Sequence, residues 1–143
     1  MQKYLYLWLQ AIGAGHIVLG VGLALGAQTA LLTPYFDSIL SQFALAANDA
    51  AARNMAQSLI QLFGPTVASW GLLFSTLLYL YRRHGDRLIK LAIFAALLLW
   101  LPLDCYISAR HGLYPQVYLN LAVGLLIALP LAFLQPRLGQ PAH

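Results

Sequence analysis

Charge is what this chain has least of. Of its 143 residues, 8 are Lys or Arg and 4 are Asp or Glu, so 8% are charged while 61% are hydrophobic. A soluble domain carries about 25% charged residues, and so few cannot clothe a water-facing surface. An ordinary soluble globule is thereby excluded. Cysteine is nearly absent too: Cys105 stands alone, which rules out a disulfide within the chain and a paired-thiol zinc site. No block of like charge is present, and the net charge of +4 is scattered through short connections, so nucleic acid is not the expected partner. Nor is there a phosphate-binding glycine loop, because Gly13, Gly15, Gly20, Gly22 and Gly26 all lie within one apolar stretch. His16, His111, Asp104 and Cys105 show no metal-ligand spacing, and no Ser-His-Asp order can be drawn. Neither a metal nor a cofactor is expected, and an enzyme is the less favoured reading.

What is present is a set of apolar runs near the roughly 20 residues that cross a bilayer core. They fall at Tyr4 to Ala27, Leu59 to Tyr81, Leu88 to Ser108 and Leu113 to Leu134. The expected fold is a single all-α domain over 1–143, an integral membrane four-helix bundle with a short amphipathic helix in its first extracytoplasmic connection. The first run follows Lys3 but exceeds a signal-peptide core in length, so it reads as a retained span. Lys3, Arg82, Arg83, Arg87, Lys90 and Arg137 group on one side, with Arg53 and Arg110 on the other. The positive-inside rule then places both termini in the cytoplasm. Tyr4, Tyr6, Trp8, Tyr79 and Tyr81 mark the inner interface; Tyr35, Tyr106, Tyr114 and Tyr118 mark the outer one.

The first connection carries its own helical signal. Thr33 is a candidate cap, with Pro34 in the first position and Asp37 in the first turn. Phe36, Ile39, Leu40 and Phe43 repeat at helical spacing opposite Asp37, Ser38, Ser41 and Gln42, the pattern of a helix at the outer interface. Asn48 and Asp49 interrupt it, and Asp49 is placed to cap a second helix running into the next span. Such a connection is either a spacer or a lid over a cavity.

Polar and small residues form stripes within the spans: Gly13, His16, Gly20, Ala24 and Ala27 in the first, Ser58, Gln61, Pro65, Ser69 and Thr76 in the second, Gln116, Asn120, Gly124 and Ala128 in the fourth. Hydroxyls and amides find no partner in lipid, so these faces are expected to turn inward. Gly22 and Gly26 make a GxxxG pair, a signal for helix packing or dimerisation. Pro65 and Pro102 each remove a helical hydrogen bond, as at the wall of a cavity or at a packing kink.

Asp104 is the one acid inside an apolar run. A carboxylate at membrane depth persists where it meets a partner, water or a ligand, which makes it the functional address. The expected site gathers Asp104, His16, Gln61, Ser69 and Asn120 into one outward-facing pocket walled by Trp70 and Trp100. An indole one turn from a carboxylate suits a cationic or amphiphilic ligand. The plain alternative pairs Asp104 with Arg110 at the interface, to hold the span in register. Three functions follow: binding or transport of a small amphiphilic, lipid-like or cationic molecule; a noncatalytic subunit of a larger membrane complex; or an intramembrane isomerase with Asp104 and His16 as acid and base. The partners expected are membrane lipids and either a second copy or a larger complex. In length and span count the chain resembles small four-helix bacterial inner-membrane proteins such as the DoxX-like group. That resemblance implies an inner-membrane location and, with no shared motif, no residue role.

Overall fold

The computed structural model describes residues 1–43 and 49–136. Asn48 and Arg137, read above as a helix interruption and a topological charge, lie outside the described residues. The described chain is helical throughout: α1 (Gln2–Gly26), a 3-10 turn (Ala30–Leu32), α2 (Thr33–Gln42), α3 (Ala50–His84), α4 (Arg87–Arg110) and α5 (Tyr114–Phe133). Four of these, α1, α3, α4 and α5, are long and apolar enough to cross a membrane.

Local chemistry sets the boundaries. Asp49 accepts from Ala52 N at 2.9 Å and caps α3, as its position predicts. Asp86 does the same for α4 by accepting from Leu88 N at 2.8 Å. Between them Gly85, at φ 71°, closes α3 with the left-handed residue that lets the chain reverse within a single short turn. Thr33 does not cap α2: the preceding 3-10 turn draws it into the first helical turn, and Leu32 takes the cap position without a side-chain bond. Pro65 and Pro102 sit inside continuous helices. At 35 residues α3 is about 50 Å long, well beyond a hydrocarbon core of roughly 30 Å.

The most extensive packing is α1 along α3, followed by α4 along α5; α3 also meets α4, and α1 meets α5. Glycine makes the first pair possible. Added at Gly71, a Cβ would stand 2.6 Å from Gly13 O and 2.9 Å from Ile17 N; at Gly64, 2.5 Å from Gly20 O and 2.6 Å from Ala24 N. The two backbones therefore touch directly at two levels two turns apart, which requires the absence of side chains there. This seam corrects two sequence expectations. A Cβ at Gly22 would meet nothing within 4 Å, so Gly22 lies off the α1–α3 seam, and of the two readings of the Gly22–Gly26 pair only dimerisation stays open. In α3 the buried line is Gly64, Gly71, Phe74, Leu78, Tyr81 and Arg82, whereas Ser58, Pro65, Ser69 and Thr76 are exposed. The close glycine contacts outweigh hydroxyls in setting which face turns in, since Thr76 meets its own need by donating to Leu72 O at 2.8 Å. The stripes of α1 and α5 do turn inward, with Gly13, Gly20, Ala27, Asn120 and Gly124 buried.

The apolar core lies toward one end of the four long helices. Leu9, Phe74, Leu78, Tyr81, Ile93, Leu97, Ile127 and Leu131 interlock there. Beyond them the carbonyls that end α5 are taken up by side chains from its neighbours: Gln2 donates to Phe133 O (3.0 Å), Lys90 to Ala132 O (2.8 Å) and Leu134 O (3.1 Å), Tyr81 to Leu134 O (3.1 Å), and Arg82 to Gln135 O (2.7 Å). Unpaired carbonyls at a helix end are costly beside lipid, and cationic donors suit the negative end of the helix dipole. Arg82 and Lys90, read from the sequence as topology signals, thus also fasten α5.

Candidate functional site

At the opposite end the helices bring polar groups together in α4 and α5. Asp104 lies about 9 Å along the axis from the end of α4, and Asn120 about 9 Å from the start of α5, so the two are level. Asn120, 3% exposed, donates from Nδ2 to Asp104 Oδ2 at 2.6 Å. Gln116, one turn earlier, donates to Asn120 Oδ1 at 3.2 Å. A hydrogen bond to a charged acceptor is the strong kind, contributing about 1.5–3 kcal/mol. The carboxylate therefore faces its sister helix and not Arg110, whose guanidinium lies 5.9 Å from the Tyr106 ring centre. Among the described residues Asp104 Oδ1 accepts no hydrogen bond and yet is not a buried atom without a partner, so it retains accessible surface. That oxygen is the free valence of the site.

α2 lies against this end. Phe36 and Leu40 are 0% and 2% exposed, so this part of the apolar face of α2 turns against the protein and not outward, while Phe43 stays half exposed. Asp37 forms an ion pair with Arg53 in the first turn of α3. At the other end of α2 the Phe43 ring lies 5.4 Å from that of His111, and Gln42 Oε1 would be 3.2 Å from a Cβ at Gly112. One short helix thus bridges α3 and the α4–α5 turn. Tyr35 stands near enough to Asp104 that burial first, and the carboxylate's charge second, push its phenol above the ordinary 10.0.

A separate aromatic cluster lies between α1 and α3. His16 donates from Nδ1 to Ile12 O at 2.8 Å, since a carbonyl can only accept. Its ring sits 4.7 Å from that of Trp70, which in turn stacks on Phe74 at 5.0 Å. His16 is about 15 Å from the end of α1, deeper than Asp104.

The expected residues therefore divide. Asp104 joins Asn120, and His16 joins Trp70, but among the described residues no hydrogen bond, ion pair or ring contact links the two groups. Trp70 and Trp100 are half-buried against the apolar core. Gln61 is half-buried, and Ser69 is exposed on α3. Tyr35 and Gln116 are the residues sequence reasoning left out. Gln116 was legible as the next residue on the stripe of Asn120; Tyr35, counted as an interfacial aromatic, gave no sign of its neighbour. Among the described residues no cluster of three or more His, Cys, Asp or Glu forms. No protein-family model, no curated protein and no solved structure matches the chain, so the chemistry of the Asp104 site has to be argued from its own atoms.

Proposed function

We propose that the protein is a four-helix inner-membrane bundle, with both termini cytoplasmic, that holds a small cationic or amphiphilic molecule at Asp104 beneath the amphipathic helix α2. The observation that carries this reading is the disposition of one carboxylate: Oδ2 fixed by Asn120, Oδ1 retaining surface, and Tyr35 close by. A fixed acid at membrane depth attracts a cation, and apolar helices around it suit a ligand with a hydrophobic body. Trp100, one turn from Asp104, adds an aromatic face. α2 serves as a lid whose latches are Asp37 with Arg53 and Phe43 with His111. Asp104 and His16 belong to different clusters, so acid-base chemistry shared between them is not part of the proposal.

The test uses tetraphenylphosphonium, a lipophilic cation, titrated into the protein in nanodiscs with tryptophan fluorescence as readout. Asp104→Asn keeps an acceptor for Asn120 and removes the charge. We expect affinity to fall about 10-fold or more while the melting temperature drops by no more than about 5 °C, as a neutral bond replaces the charged one. Equal binding by the two proteins sinks the reading. A second reading, a subunit of a larger membrane complex, is favoured by the outer face of α1, where a Cβ at Gly15 or Gly22 would meet nothing within 4 Å. It predicts a stoichiometric partner in mild detergent that is lost on Gly22→Leu.

A further inference from the structure

We propose a second site at the basic end of the molecule: a cleft that seats the phosphate headgroup of an anionic phospholipid. The cleft, of about 450 Å³, opens between the α3–α4 turn with the first turn of α4 on one side and the segment closing α5 on the other. Arg87 and Lys90 line it, with Tyr81 and Phe133. It lies at the opposite end from Asp104 and does not rest on the function proposed for that residue.

Three features select an anionic lipid. The first is donor capacity. Lys90 spends two bonds on Ala132 O and Leu134 O, and an ammonium has three donors, so one remains. Arg87 is exposed, and among the described residues it makes no hydrogen bond or ion pair. Its guanidinium is thus open for the two-pronged contact that phosphate favours. The second is charge balance: Arg87, Lys90 and the positive start of α4 outweigh Asp86, which is drawn to Leu88 N, and the negative end of α5, whose Ala132 and Leu134 carbonyls already accept from Lys90. The third is the flank. Leu88, Leu91 and Phe133 are 72%, 60% and 66% exposed, an apolar surface against which acyl chains can lie as the headgroup enters the cleft. Basic clefts between spans at the cytoplasmic side have this geometry for anionic lipid.

The experiment measures binding of a fluorescent phosphatidylglycerol to the detergent-solubilised protein, with phosphatidylcholine and free glycerol phosphate as competitors. Salt is held at about 1 M, where a Debye length near 3 Å removes diffuse attraction. Lys90 is left in place because it fastens α5. Arg87→Gln should weaken phosphatidylglycerol binding about fivefold or more, Arg87→Lys should fall between that variant and the unaltered protein because a point charge cannot replace the two-pronged contact, and Lys3→Gln, an equal charge loss at the same end, should leave it unchanged. Phosphatidylcholine competing equally, or the same loss in Lys3→Gln and Arg87→Gln, would overturn the site. Glycerol phosphate competing at the same concentration as the lipid would overturn the assignment to a lipid. Matching melting temperatures for Arg87→Gln and the unaltered protein establish that a loss of binding is not a loss of fold.

Discussion

The α1–α3 seam makes the sharpest prediction, because the same substitution should have opposite signs at positions a few residues apart. Gly71→Ala places a methyl 2.6 Å from Gly13 O and 2.9 Å from Ile17 N. Ordinary contact needs about 3.5 Å, so the helices must part by roughly 1 Å, and a gap of that size forfeits a quarter to a half of each dispersion contact along the seam. Overpacking of this kind costs about 1–3 kcal/mol. Gly64→Ala, with Gly20 O at 2.5 Å, forces the same separation. The double variant should therefore cost less than the sum of the two, since the helices part once. Gly15→Ala and Gly22→Ala meet nothing within 4 Å and should gain about 0.5–1 kcal/mol from the better helix former. Thermal melts in detergent, followed by tryptophan fluorescence, should place the two groups on the order of 5–10 °C apart, with the seam variants lower. Gly64→Ala and Gly71→Ala melting with or above Gly22→Ala would refute the close approach, and with it the pairing of these helices.

Other expectations concern the Asp104 end. Tyr35, raised by burial and by Asp104, holds its proton when folded at pH values where the unfolded chain has lost it. Its contribution to stability is therefore complete below pH 10.0 and is lost as the pH rises above that value, and melting temperatures of Tyr35→Phe should show a shallower alkaline decline. Asp37→Ala should speed amide exchange throughout α2 while shifting global stability by no more than about 1 kcal/mol, because the ion pair is partly exposed; unchanged exchange would remove the latch. Asp49→Ala should cost about 0.5–2 kcal/mol in detergent melts through loss of the α3 cap, and a neutral result would count against that cap.

Much of the architecture was open to a reader of the residues alone. Span lengths follow from bilayer thickness, and the observed helices agree with the expected stretches to within a few residues at most ends. α3 is the exception, and it was anticipated by Asp49, whose short acceptor side chain starts that helix wherever the chain folds. The pairing of Asp104 with Asn120 is half legible, since the sequence places both in one outward-facing pocket. Which donor Asp104 would accept from is not, because Arg110 is nearer in sequence and only the α4–α5 contact brings Asn120 across. The polar stripe of α3 misled: hydroxyls suggest an inward face, yet a serine or threonine can bond its own helix and remain outside, whereas a glycine in backbone contact has no substitute.

The residues by themselves therefore determined the helical class, the four long apolar stretches, the Asp49 cap of α3 and the rarity of a carboxylate within those stretches, since each depends on local chemistry and on the thickness of the surrounding medium. The tertiary structure alone decided that α1 and α3 meet through bare backbone, that His16 and Asp104 lie in separate clusters, and that α2 lies against one end while basic side chains fasten the other. Those outcomes depend on which helix faces touch, and contact between segments far apart in the chain is fixed by shape in three dimensions, which no local pattern encodes.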